Sequence, residues 1–81
     1  MSSEKLTDKQ KKLRRGIGER VKFIRKDILN KSQIEMIKIL KVKQGMISKL
    51  ERGESPPTVE TLLVLKKKSG KTTDWILTGN D

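Results

Sequence analysis

The chain has 81 residues, enough for one small domain in which only about 60% of the unfolded surface can be buried. Twenty Lys and Arg stand against ten Asp and Glu, a formal net charge of +10. That balance favours a polyanionic partner, because neutralising phosphates releases condensed counterions. There is no cysteine and no histidine, which excludes disulfides, zinc fingers and imidazole catalysis.

The N-terminus, MSSEKLTDKQ, lacks the apolar region of a signal peptide, and no apolar run approaches the roughly 20 residues that span a bilayer. A cytoplasmic protein without membrane attachment is expected. Residues 1–15 form a basic N-terminal arm or helical extension with Lys5, Lys9, Lys11, Lys12, Arg14 and Arg15. The simplest expectation is a solvated, frayed tail. Thr7-Asp8-Lys9-Gln10 nevertheless fits a capping box, so an extra turn or two of helix can begin there. Residues 16–81 make the folded domain. Ile17, Val21, Ile24 and Ile28 recur on one helical face, and Leu13 extends the stripe backwards. Gly16 and Gly18 weaken its start, which predicts a stable helix from about Gly18 to Asp27. Asn30 is suited to the left-handed conformation that ends it. Phe23 lies off the stripe, either as a single exposed aromatic or as a partner contact.

The stretch from Ser32 to Gly53 reads as two short helices across a tight turn. Ser32 caps the first, whose Met36, Ile37 and Leu40 share a face. After Lys41–Lys43, Val42, Ile47 and Leu50 supply a second apolar stripe. The opposite face carries Gln44, Gly45, Ser48, Lys49 and Arg52, with no carboxylate among them, and Gly53 stops the helix. An apolar back and a polar, basic front suit contact with an anion. The spacing is that of a DNA-binding helix-turn-helix whose second helix enters the major groove. In that setting the basic arm would follow a DNA backbone or enter a minor groove.

Glu54-Ser55-Pro56-Pro57 is a loop by its prolines. Thr58 caps a helix with Val59, Leu62, Leu63 and Leu65 on its inward side, closed by Lys66-Lys67-Lys68 and Gly70. Thr73-Asp74-Trp75-Ile76-Leu77 gives a last short helix ended by Gly79. Trp75, without an aromatic neighbour in the sequence, is expected as a lid on the core rather than a base-stacking platform.

Ile17-Gly18-Glu19-Arg20-Val21, Ser32-Gln33, Gln44, Ile47-Ser48-Lys49-Leu50-Glu51-Arg52-Gly53 and Asp74-Trp75-Ile76-Leu77-Thr78-Gly79 occur in register. In this the chain resembles the lambda-repressor-like, Cro/C1-type helix-turn-helix family over residues 16–79. The resemblance implies an all-α fold, a compact five-helix bundle whose second and third helices form the helix-turn-helix. It implies a recognition helix at about residues 43–52, with Gln33 binding a phosphate or bracing Gln44. Gln44, Gly45 and Lys49 would then read bases, flanked by Ser48 and Arg52. An arginine paired with the glutamate before the closing glycine, here Arg25 and Glu51, is also implied, as is a dimer surface near helix 5 or the C-terminus. Family members often continue through a linker into a further domain. The chain departs from the family pattern at several places: Ile37 for alanine, Lys41 for glycine in the turn, and Lys43 for the usual serine or threonine cap. Its connection between helices 1 and 2 is one residue longer, and Lys66, Ser69 and Lys71 replace apolar residues.

The leading expectation is a sequence-specific, dimeric transcriptional regulator of the phage repressor type on a pseudo-palindromic operator. The candidate DNA-binding residues are Gln33, Lys43, Gln44, Gly45, Met46, Ser48, Lys49 and Arg52. Lysines and Arg52 supply attraction to phosphates, while Gln44 suits adenine and Lys49 guanine. The partners expected are double-stranded DNA and a second copy of the chain, with no cofactor and no metal. The alternative is an antitoxin or adaptor whose partner is a protein, with Ile34, Ile39 and Phe23 as its patch. An enzyme is disfavoured by the lack of a nucleophile–base pair and of a phosphate-cradling glycine loop.

Overall fold

The computed structural model describes residues 6–80, and within them all regular structure is helical. The elements are α1 (Asp8–Phe23), continued by a π-helical turn (Ile24–Ile28), then α2 (Gln33–Leu40), α3 (Met46–Glu51), α4 (Val59–Ser69) and α5 (Thr73–Thr78). Lys5 lies outside the described residues.

α1 begins ten residues before the expected Gly18. The reason is the capping box. Thr7 Oγ1 accepts from the Gln10 N–H at 3.1 Å, and Gln10 Oε1 accepts from the Thr7 N–H at 2.9 Å. Residues 8–15 are therefore continuous with the rest of the helix, so the boundary expected between residues 15 and 16 falls inside one element. Leu13 is exposed and takes no part in the core. At the other end the Leu29 N–H bonds the Ile24 carbonyl at 2.8 Å, an i→i+5 closure. A π turn holds one residue more than an α turn. It absorbs the extra length expected between the first two helices, and it half-exposes Ile28. Asn30 is left-handed at φ 55°, as expected.

The core is Ile17, Val21, Ile24, Met36, Leu40, Ile47, Leu50, Leu65 and Ile76, drawn from every helix. Where α1 crosses α3, the absence of a side chain is decisive. A Cβ on Gly18 would lie 2.5 Å from the carbonyl oxygens of Leu50 and Glu51, so only glycine lets the two helices touch there. α4 differs from expectation. Val59 and Leu63 are 68% and 56% exposed, and Thr61 is buried in their place, with Leu65 fully buried. Ser69, at an expected apolar position, is reconciled to the interior by donating to the Leu65 carbonyl at 2.6 Å and accepting from the Lys71 N–H. α5 is tied to α1 by Arg20, whose Nε–H and Nη2–H donate to the Ile76 and Leu77 carbonyls at 2.7 and 3.0 Å. These are carbonyls that a helix end leaves without an internal partner. Trp75 is half-buried over the core but not alone: the Phe23 ring lies 6.1 Å away at 56°, and Lys71 Nζ stands 4.7 Å from the indole centroid.

The turn after α2 contains a non-glycine residue under strain. Lys41 closes α2 in the left-handed conformation (φ 56°, ψ 45°), which costs an L-residue roughly 1–2 kcal/mol. Lys41→Gly should therefore stabilise the fold by about 1 kcal/mol, or a rise of roughly 4–8 °C in Tm for a domain of this size. Thermal unfolding followed by circular dichroism checks this, and an unchanged or lowered midpoint contradicts it.

Candidate nucleic-acid interface

α2 starts on a second capping box. Ser32 Oγ accepts from the Glu35 N–H, and Glu35 Oε1 accepts from the Ser32 N–H at 2.9 Å. The Glu35 carboxyl is held below its ordinary range, chiefly by that bond from the Ser32 backbone. The expected ion pair is present and buried. Arg25 Nε–H donates to Glu51 Oε2 at 2.6 Å and Nη2–H to Oε1 at 3.1 Å, with each residue 9% exposed. Arg25 Nη1–H also donates to the Lys31 carbonyl at 2.9 Å, and the Gln33 amide donates to Glu51 Oε1 at 3.1 Å. The end of α1, the connecting loop, the first residue of α2 and the last of α3 thus meet at two side chains. Gln33 does not brace Gln44; its amide N–H is directed to Glu51.

α3 is shorter than the expected 43–52. The Lys43 carbonyl accepts from the Met46 N–H at 3.0 Å, and Gly45 has φ 92° and ψ −23°, the third position of a type II turn. Lys43 and Gln44 therefore belong to that turn and precede the helix. Gly45 caps it with no side-chain bond. A Cβ at Gly45 would meet nothing within 4 Å, so its positive φ, rather than close packing within the chain, demands glycine. Past Glu51 the chain reverses in a Schellman motif, with the Glu54 N–H on the Lys49 carbonyl (2.8 Å) and the Gly53 N–H on that of Leu50 (3.1 Å). Gly53 packs against the backbone of Arg15, so the first half of α1 lies beside the C-terminal end of α3.

On the outer side Lys43, Gln44, Gly45, Met46, Lys49 and Arg52 are exposed and Ser48 is half-buried. Lys43, Gln44 and Lys49 make no side-chain hydrogen bond among the described residues. Arg52 is engaged. Its Nε–H and Nη2–H donate to Glu54 Oε2 and Oε1 at 2.7 and 3.1 Å, and Nη1 donates to Ser48 Oγ. The front of α3, expected to be free of carboxylates, thus carries Glu54 folded back onto it. The Glu54 carboxyl is held below its usual range by the bond from Arg52, and Arg52 is raised in turn. The sequence signal was Arg52-x-Glu54 around a helix-ending glycine. Of the alternative's protein-binding patch, Ile39 packs against the core, while Phe23, beside the Trp75 ring, and Ile34 are both exposed. Among the described residues no group of three or more acidic side chains converges as a metal site.

Two short helices at a fixed crossing, with a polar outer face on the second, define a helix-turn-helix domain. Residues 21–76 match the family model described as Helix-turn-helix, and the chain belongs to that family, in its lambda-repressor-like branch. Over 65 residues it is 38% identical to the HTH-type transcriptional regulator DicA of Escherichia coli (strain K12), a match covering 80% of this chain and 47% of that protein. The chain therefore spans about half the length of the curated relative it matches. Its fold is also that of the P22 c2 repressor protein, solved in complex with synthetic operator 9T in the presence of Tl+. The TM-score is 0.70 at 36% identity, covering 79% of this chain and 96% of that one.

The burial of Arg25 and Glu51 sets the cost of separating them. Glu51→Gln leaves a buried guanidinium without its counter-charge, which is worth on the order of 3–5 kcal/mol. Urea denaturation should show that loss. A midpoint equal to the parent's would mean that the pair does not hold the helices together.

Proposed function

We propose that the chain is a sequence-specific regulator of repressor type that binds a pseudo-palindromic operator as a homodimer, with α3 in the major groove. The observation that carries this reading is the outer side of α3 and its preceding turn: Lys43, Gln44, Met46 and Lys49 face solvent, with Ser48 half-buried beside them, while the inner side is locked by Glu51 and Leu50. A related domain, the P22 c2 repressor, is known bound to an operator, which supports the same use of the surface here. Gln44 is suited to adenine N6/N7 and Lys49 to guanine O6/N7, and Gln33 at the head of α2 is near enough to the helix ends to meet a phosphate. The basic arm and Lys66–Lys68 add attraction that does not depend on sequence. One helix of this length contacts few bases, so two copies about 34 Å apart would supply the rest of the specificity. As a regulator that works by occupying DNA, it is assigned no enzymatic role, and it would act in the cytoplasm.

Selection on random duplexes tests the class and the symmetry together: an enriched inverted repeat is expected, and recovery of no preferred sequence overturns the reading. Gln44→Ala should cost roughly 1–3 kcal/mol on the selected duplex, relax one base position, and leave mixed-sequence binding nearly unchanged. Equal weakening on both duplexes would mean that α3 and its turn do not read bases.

A further inference from the structure

Arg52 sits at the exposed end of α3, where an unpaired guanidinium would be drawn to any phosphate. Its surroundings give it a different role. A guanidinium has five N–H donors in a planar fork. Glu54 takes the Nε–H and one Nη2–H, and Ser48 Oγ takes one from Nη1. One N–H remains on each terminal nitrogen. With Glu54 along the Nε side, the free Nη2–H lies on the outer edge of the fork, and terminal guanidinium donors match O6 and N7 of guanine. Both side chains are about half exposed, 55% for Arg52 and 53% for Glu54, so the edge is open to solvent.

The arrangement is anchored at both sides. Glu54 is held by its backbone bond to the Lys49 carbonyl in the Schellman turn, and Ser48 lies one helical turn before Arg52. A carboxylate at 2.7 Å also cancels most of the guanidinium's long-range attraction while leaving its remaining donors in place. An exposed pair like this contributes little to folding, so its main consequence falls on whatever α3 touches.

We propose that Glu54 is a specificity-determining residue that acts through Arg52: it presents the outer edge of the guanidinium to a guanine and suppresses its attraction to phosphates in general. The proposal rests on the reading of α3 as the DNA-facing helix.

The test compares Glu54→Gln, Glu54→Asp, Arg52→Ala and the Glu54→Gln/Arg52→Ala double variant, all in the full chain. Each is titrated across a salt series on the duplex recovered by selection and on a mixed-sequence duplex. Glu54→Gln should bind the mixed duplex several-fold more tightly, with a salt slope steeper by up to about 0.9. Its selected-to-mixed affinity ratio should fall several-fold, and the loss should localise to one guanine position that Arg52→Ala also erases. Glu54→Asp keeps the charge but displaces the carboxylate, so it should lower the ratio without strengthening mixed-sequence binding. In the Arg52→Ala background, Glu54→Gln should leave the ratio unchanged. The proposal is overturned if Glu54→Gln shifts both duplexes by one common factor, or if the ratio falls equally without Arg52. A parent chain that selects no sequence would instead overturn the underlying reading, and that outcome is visible before any variant is made.

Discussion

The geometry of the domain depends on the buried contact between Arg25 and Glu51. A hydrophobic pair at this crossing would hold α1 and α3 together but would leave their relative rotation loosely defined. A bidentate arginine–carboxylate contact fixes direction as well as distance. Lysine could not replace Arg25, because its three donors share one nitrogen and cannot span both Glu51 oxygens and the Lys31 carbonyl as the three separated nitrogens of the guanidinium do. The π turn belongs to the same region, since Arg25 is its second residue. Burial of an ion pair is weak evidence for stability by itself. Here its consequence is orientation: Gln33 joins the pair from α2, so the angle between α2 and α3 is set by the group that fixes α3 to α1.

That constraint acts on a helix with little independence. Six residues are far too few to be helical alone. α3 exists because Ile47 and Leu50 enter the core, Gly18 lets α1 approach its last carbonyls, and the Schellman turn closes its end. All these restraints act on the inner side. The outer side keeps Lys43, Gln44 and Lys49 without side-chain hydrogen bonds among the described residues, and a start at Gly45 with no side-chain cap. A rigid back and an adaptable front suit a surface whose contacts form only against another molecule.

Much of this was legible in the sequence, and the remainder failed for identifiable reasons. Ile17, Val21, Ile24, Met36, Leu40, Ile47 and Leu50 all occupy the core at the spacings that predicted them. α4 has apolar residues at 59, 62, 63, 64 and 65, so its pattern does not define one face. Only the neighbouring helices select Thr61 and Leu65 over Val59 and Leu63. The Arg25–Glu51 pair followed from the family resemblance, not from spacing. Arg20 was invisible because its partners are backbone carbonyls 56 and 57 residues away. The start of α3 was misplaced because Gln44 reads well in a helix, while the positive φ of Gly45 ends that possibility one residue later. Phe23 and Trp75 lie far apart in the chain, and only the packing of α5 on α1 makes them neighbours.

The distribution of charge also separates attraction from reading. The chain carries +10, yet residues 46–54 have no net formal charge: Lys49 and Arg52 are matched by Glu51 and Glu54. The excess of positive charge lies elsewhere, on the first half of α1, around the turn after α2, and at the end of α4. On the proposed function, an electrostatic field spread in this way would draw the protein to any duplex, with an affinity that falls steeply with salt. It carries no information about bases. If the same charge were concentrated on α3, every sequence would gain alike and the ratio between operator and bulk DNA would shrink, although the absolute affinity would rise. On the proposed reading, holding α3 and the turn that closes it electrically neutral, with one glutamate buried beneath the helix and another folded onto its face, would leave hydrogen-bond geometry as the main source of discrimination there.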